Sequence, residues 1–118
     1  MVPAYRFEML VEECPAGTIR LRLGTDEWLT RFAGQTGFCV NAIYRGRRLA
    51  GRSVRLVKPL AAEHGLGPIW LTCNPDNHAS KRVMLWLGAT LVEIVNLPSD
   101  YDAYARGEWK EERYRLER

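Results

Sequence analysis

The sequence lacks any long apolar run; no window approaches the roughly 20 consecutive apolar residues of a membrane-spanning helix. Cysteine and histidine are scarce. Cys14, Cys39 and Cys73 are odd in number and widely spaced, which argues for free thiols in a reducing cytoplasm. His64 and His78 stand apart, and no cysteine or histidine pair has the spacing of a local zinc motif, so no metal site is expected. The opening residues, Met1 to Arg6, lack the basic start and apolar core of a signal peptide, and a cytoplasmic location is expected. Internal repeats, low-complexity tracts and linkers are missing too. What remains is ordinary: 118 residues, 47% hydrophobic and 26% charged. Such a chain buries enough apolar surface to offset its ordering entropy. Its length suits one domain over residues 1–118.

Acidic residues are missing from one stretch in particular. Arg45, Arg47, Arg48, Arg52, Arg55 and Lys58 follow one another with no carboxylate between them. This local excess points to an anionic partner more sharply than the net charge of +3 does. A solvated helix face is the plainer alternative. The C-terminal stretch is mixed, with Glu108, Lys110, Glu111, Glu112 and Arg113.

Periodicity supplies the elements. Tyr5, Phe7, Met9 and Val11 alternate with polar residues, and so do Ile19, Leu21 and Leu23. Residues 4–24 therefore read as a hairpin turning at Pro15-Ala16-Gly17. Residues 26–32 are a loop or one helical turn. Residues 36–40 form a short strand. Leu49, Ser53, Leu56, Val57, Leu60 and Ala61 fall at helical spacing and predict a helix over about 46–64, kinked or broken at Pro59. The apolar run 69–73 reads as a covered strand. Asn77 caps a second helix with Ala79, Val83, Met84 and Leu87 inward and Gly88 at its end. Residues 90–97 form a strand, 99–109 an aromatic loop with Tyr101, Tyr104 and Trp109, and 113–117 a last strand. The order is β-β-β-α-β-α-β-β.

Two segments carry chemistry. The strand Phe38-Cys39-Val40 runs into Arg45-Gly46-Arg47-Arg48-Leu49-Ala50-Gly51, which opens the first helix. A helix N-terminus presents unpaired N–H groups, and small residues with flanking arginines suit a pyrophosphate. Then Asn77-His78-Ala79-Ser80, with Gly88-Ala89 and another strand, follows a buried strand. Together these resemble the GNAT acetyltransferase superfamily. There an Arg/Gln-x-x-Gly-x-Gly/Ala loop holds the pyrophosphate of acetyl-CoA, and an Asn opening the next helix lies near the pantetheine arm. Arg45 and Ala50 match the first and last loop positions, and Asn77, Gly88 and Ala89 the later segment. The resemblance makes Phe38, Cys39, Val40, Arg45, Gly46, Arg47, Arg48, Leu49, Ala50, Gly51, Asn77 and Ser80 the candidate contacts for acetyl-CoA.

Three departures stand out. Arg48 occupies a loop position where the family usually has Gly; its side chain either obstructs a positive φ and crowds the phosphate or adds a charge-assisted contact. Met84 stands where the family often carries a Tyr acid, and it has no proton to donate. The chain is expected to lack the family's first strand and two following helices. That would leave an acceptor site open or completed by a partner, and apolar sheet that a homodimer would cover.

The resemblance implies an α+β fold with a mixed, mostly antiparallel sheet, whose strands 36–40 and 69–73 run parallel and splay around the cofactor. It implies N-acetyl transfer from acetyl-CoA to a small-molecule or peptide amine, with N–H groups around Cys39 and Val40 stabilising the oxyanion. The residues themselves name no catalytic base. Glu8, Glu93 and His78 are candidates against a reading as surface charge, and Tyr101 and Tyr104 are candidate acids against a packing role. Cys39 reads as a buried structural thiol before it reads as a nucleophile. His64 is expected at a helix C-terminus, and Trp70 and Trp86 in the core or an interface. Two other readings compete: a catalytically degenerate module for CoA or protein binding, and a nucleic-acid-binding domain. The latter lacks an aromatic platform or recognised motif.

Overall fold

The computed structural model describes residues 3–26, 29–99, 107 and 109–117. It holds two three-stranded sheets, ordered β1-β2-β3 and β4-β6-β5. The strands are β1 (Ala4–Val11), β2 (Cys14–Arg22), β3 (Thr36–Val40), β4 (Ile69–Cys73), β5 (Thr90–Asn96) and β6 (Lys110–Leu116). Helix α1 (Leu49–Glu63) joins β3 to β4, and α2 (His78–Leu87) joins β4 to β5. Among the described residues every strand pairing is antiparallel. A π-helical turn, Leu29–Ala33, fills the ambiguous region before β3, and a 3-10 turn, Ala42–Tyr44, follows it.

The first hairpin turns earlier than the sequence suggests. Glu12 and Glu13 take φ of 51° and 68°, the doubly left-handed geometry that matches strand twist in two-residue turns. Pro15, Ala16 and Gly17 lie inside β2. Gly17 is there for close approach, since a Cβ on it would sit 2.3 Å from the Cys39 carbonyl oxygen of β3.

Helix α1 starts three residues later than periodicity predicts, because Arg48 holds a left-handed φ of 58° and ends the loop. It continues through Pro59 without a break. Its inner face, Val54, Val57 and Ala61, packs with Leu21, Ile69, Leu71, Met84 and Tyr114 in one core. Helix α2 has the expected caps. Asn77 Oδ1 accepts the Ser80 N–H at 3.1 Å, and Gly88 (φ 77°) closes the last turn.

Strand β6 begins three residues before the predicted 113 and carries two buried carboxylates, Glu111 and Glu112. Glu112 is reconciled to burial by Lys81 Nζ at 3.3 Å and by the Tyr114 hydroxyl, which donates to it at 2.8 Å. Tyr101 and Tyr104 lie outside the described residues. Among the described residues, no helix is long and apolar enough to cross a membrane.

Candidate active site

Gln35 ties the two sheets together. Gln35, 1% exposed, precedes β3; its N–H donates to the Trp70 carbonyl at 2.7 Å, and its Oε1 accepts the Trp70 N–H at 2.9 Å. Its Nε2 donates to the Gly24 carbonyl at 3.0 Å. The starts of β3 and β4 are thus tied together, yet the two strands share no ladder. Beyond the tie no ladder joins them, so β3 and β4 present unpaired edges to each other.

Hydrogen-bond parity tells which groups face the gap. The Arg22 N–H donates to Gln35 O, and the Asn41 N–H to Ala16 O. Polar groups along an antiparallel strand alternate in direction. The Gly37 and Cys39 backbone therefore pairs with β2, while the Phe38 and Val40 N–H groups point into the gap. On β4, Trp70 faces Gln35, so Thr72 shares that edge. Of the two expected oxyanion donors, parity keeps Val40 on the free edge and places Cys39 in the ladder.

The same parity corrects the expectation for Cys39. Phe38 and Val40 pack towards the core, whereas the Cys39 side chain is exposed on the opposite face. The buried thiol is Cys73. It donates to Glu112 Oε1 at 3.9 Å, and burial, with the Glu112 and Glu111 charges behind it, pushes its pKa up to about 12. In the folded protein at pH 8, a disulfide-exchange reagent should titrate Cys14 and Cys39 quickly and leave Cys73. Unfolding without reductant should release all three. The raised pKa favours the neutral thiol in the fold, so its stabilising contribution is complete below the ordinary value of 9.0 and is lost as pH rises towards 12. Rapid labelling of native Cys73 would show that this corner opens.

After Val40 the chain turns back. Arg45 Nε donates to the Val40 carbonyl at 3.1 Å, tying the loop to the end of β3. Gly46 (φ 88°) has open space where a Cβ would stand. The Arg47 guanidinium lies 5.6 Å from the Tyr44 ring centroid. Arg48 sits at the N-cap without a side-chain cap bond, and no acidic residue occupies the first turn of α1. Helical bonding starts with the Arg52 N–H to the Arg48 carbonyl at 2.9 Å, leaving the Leu49, Ala50 and Gly51 N–H groups at the open end. Ala50 and Gly51 are buried. Gly51 faces Trp86 of α2, where a Cβ would come within 2.4 Å of the ring. The Arg55 guanidinium lies 3.9 Å from the Trp86 ring centroid and that of Arg48 5.5 Å. Trp86, expected in the core or an interface, packs between the helices against Gly51; an isolated glycine inside an amphipathic helix is the signal that could have found this contact.

Asn77 and Ser80 bond to one another at the start of α2, about 13 and 9 Å along its axis from Trp86. They do not share the loop's end of the helix pair. Met84 is 1% exposed and belongs to the core. Glu93 is bound by the Arg113 guanidinium, which also donates to the Thr30 carbonyl and lies 4.2 Å from the Trp70 ring centroid. Glu8 and His78 are exposed. The His64 backbone N–H bonds at the C-terminus of α1, and its Nε2 lies 3.0 Å from the Tyr5 hydroxyl. Two surface cavities, of about 370 and 270 Å³, lie along the middle and C-terminal half of α1, away from the loop.

The two sheets therefore part beside a basic, uncapped helix start, and sequence comparison identifies the family. The family model of the acetyltransferase (GNAT) domain matches residues 3–90, and the chain belongs to that family. No curated protein sequence matches it. Solved structures share the fold at low identity. The microcin C7 self-immunity acetyltransferase MccE, in complex with acetyl-CoA and AMP, superposes with a TM-score of 0.73 at 15% identity, over 98% of this chain and 61% of that one. A probable acetyltransferase gives 0.73 at 14%, over 98% and 62%. The NatC complex bound to Gag peptide and CoA gives 0.65 at 16%, over 88% and 62%. The chain thus spans about three fifths of the length of these structures.

Proposed function

We propose that the chain binds acetyl-CoA across the gap between β3 and β4 and transfers its acetyl group to an amine. The observation carrying this reading is the pair of strand edges tied at Gln35 and otherwise unpaired, with the open N-terminus of α1 following β3. The residues fit the donor. The first-turn N–H groups and the Arg45–Arg48 loop suit its pyrophosphate. The outward Phe38, Val40 and Thr72 backbone groups suit an extended arm carrying amides, and the Val40 N–H would polarise the thioester carbonyl. A neutral amine would attack the thioester carbon directly to form the amide C–N bond; the C–S bond breaks, CoA leaves as its thiolate and takes a proton from water, and the amine's proton passes to a base or water. The reaction belongs in a reducing, cytoplasmic setting, where exposed Cys14 and Cys39 stay free. Calorimetry with CoA, followed by turnover across an amine panel, tests the reading. A flat titration would end it.

Met84 favours a second reading, a module that binds CoA without turnover. Its thioether cannot protonate a departing thiolate, and its burial gives it a packing role. Met84→Leu conserves volume and should cost less than about 1.5 kcal/mol, with any activity retained. Complete loss of turnover in a folded Met84→Leu protein would mean that the position takes part in the reaction. Strong CoA binding with no turnover on any amine would select the module.

A further inference from the structure

The loop holds more cations than a pyrophosphate needs. Arg52 and Arg55 follow on α1 about 5 and 9 Å along the axis from its first residue. With Arg48 they share one helix face at i, i+4 and i+7. All three are exposed. No acidic residue lies between Arg45 and Glu63, and no carboxylate among the described residues pairs with Arg48, Arg52 or Arg55. The Arg55 guanidinium is already held over Trp86, with an Nη2 donor 3.5 Å from the Trp86 carbonyl. A prepositioned guanidinium loses less side-chain entropy on meeting an anion.

We infer that Arg52 and Arg55, with Arg48 beside them, form a second phosphate site that takes the 3′-phosphate of the donor's adenosine and makes the chain discriminate CoA from dephospho-CoA. The inference rests on the acetyl-CoA reading above. With the pyrophosphate on the first-turn N–H groups and the arm running into the gap, the nucleoside end lies outside the gap, beside the α1–α2 crossing. One ribose ring separates the pyrophosphate from the 3′-phosphate. The arginine face and Trp86 border that space. Dephospho-CoA keeps the arm and pyrophosphate and lacks only the group that this face would bind.

Calorimetry of the full chain with CoA and with dephospho-CoA tests it, in the unaltered protein and in Arg52→Gln, Arg55→Gln and the double variant. Arg20→Gln, an exposed charge on β2, controls for net charge. The unaltered protein and Arg20→Gln should prefer CoA by about tenfold or more. The double variant should keep its dephospho-CoA affinity and lose the preference to within about twofold. Arg52→Gln, which disturbs no contact to Trp86, should lose part of it. Equal binding of both compounds by the unaltered protein would overturn the site and leave the donor reading intact. A preference that survives in the double variant would also overturn it. Binding of neither compound would remove the donor reading, and this site with it. Tight binding of random duplex DNA, lost in the same variants while the CoA preference persists, would reassign the arginines to a nucleic-acid surface.

Discussion

Gln35→Leu is expected to lower stability by about 3 kcal/mol and the melting temperature by roughly 10 °C. The leucine keeps most of the volume and removes both side-chain bonds, so the Trp70 N–H and the Gly24 carbonyl lose their partners. Each polar group stranded away from water costs about 1–3 kcal/mol. The backbone bond from Gln35 to Trp70 remains, so the sheets stay joined but less firmly. That loosening falls at the closed end of the gap, and CoA affinity should fall along with stability. Chemical denaturation and calorimetry on the same preparation measure both. A loss under about 1 kcal/mol would mean that the seam is held by core packing instead.

Arg48→Glu is expected to weaken CoA binding by at least about a hundredfold while leaving the fold in place. A carboxylate about 5 Å from a phosphate, partly desolvated, costs several kcal/mol, and the lost guanidinium adds to it. The fold tolerates the change. Glu accepts the left-handed conformation about as poorly as Arg does. Its charge suits a helix N-terminus, and the lost contact with Trp86 is worth about 0.5–1 kcal/mol. Ala50 would be the wrong probe, because it is buried and a Glu there would have to bury its carboxylate. Circular dichroism checks the fold and calorimetry the affinity. Unchanged binding in folded Arg48→Glu would remove this loop as the phosphate site.

What the sequence disclosed was local. Asn77 and Gly88 bracket α2 because caps are chosen by the dihedrals and N–H groups of adjacent residues. The arginine run and its helix were legible for the same reason. Three features escaped because their causes lie far along the chain. Gly17 looked like a turn residue until β3 arrived against it. Glu111 and Glu112 read only as part of a mixed-charge stretch, yet Glu112 meets Lys81 from α2. Gln35 carried no signal, since its partner Trp70 is 35 residues away. Cys39 was a different kind of miss. Strict alternation from Phe38 and Val40 would have placed it outward, but three apolar residues in a row concealed the period.

The unpaired edges of β3 and β4 also bear on how the protein keeps its fold. Unpaired strand edges are templates for other chains, and among the described residues no strand pairs along these two. A ligand lying between them with its own amides acts as a removable strand that closes the sheet. By mass action, donor at a hundred times its dissociation constant would stabilise the fold by about 2.7 kcal/mol. On the acetyl-CoA reading, resistance to heat, proteases and aggregation would then track the supply of CoA.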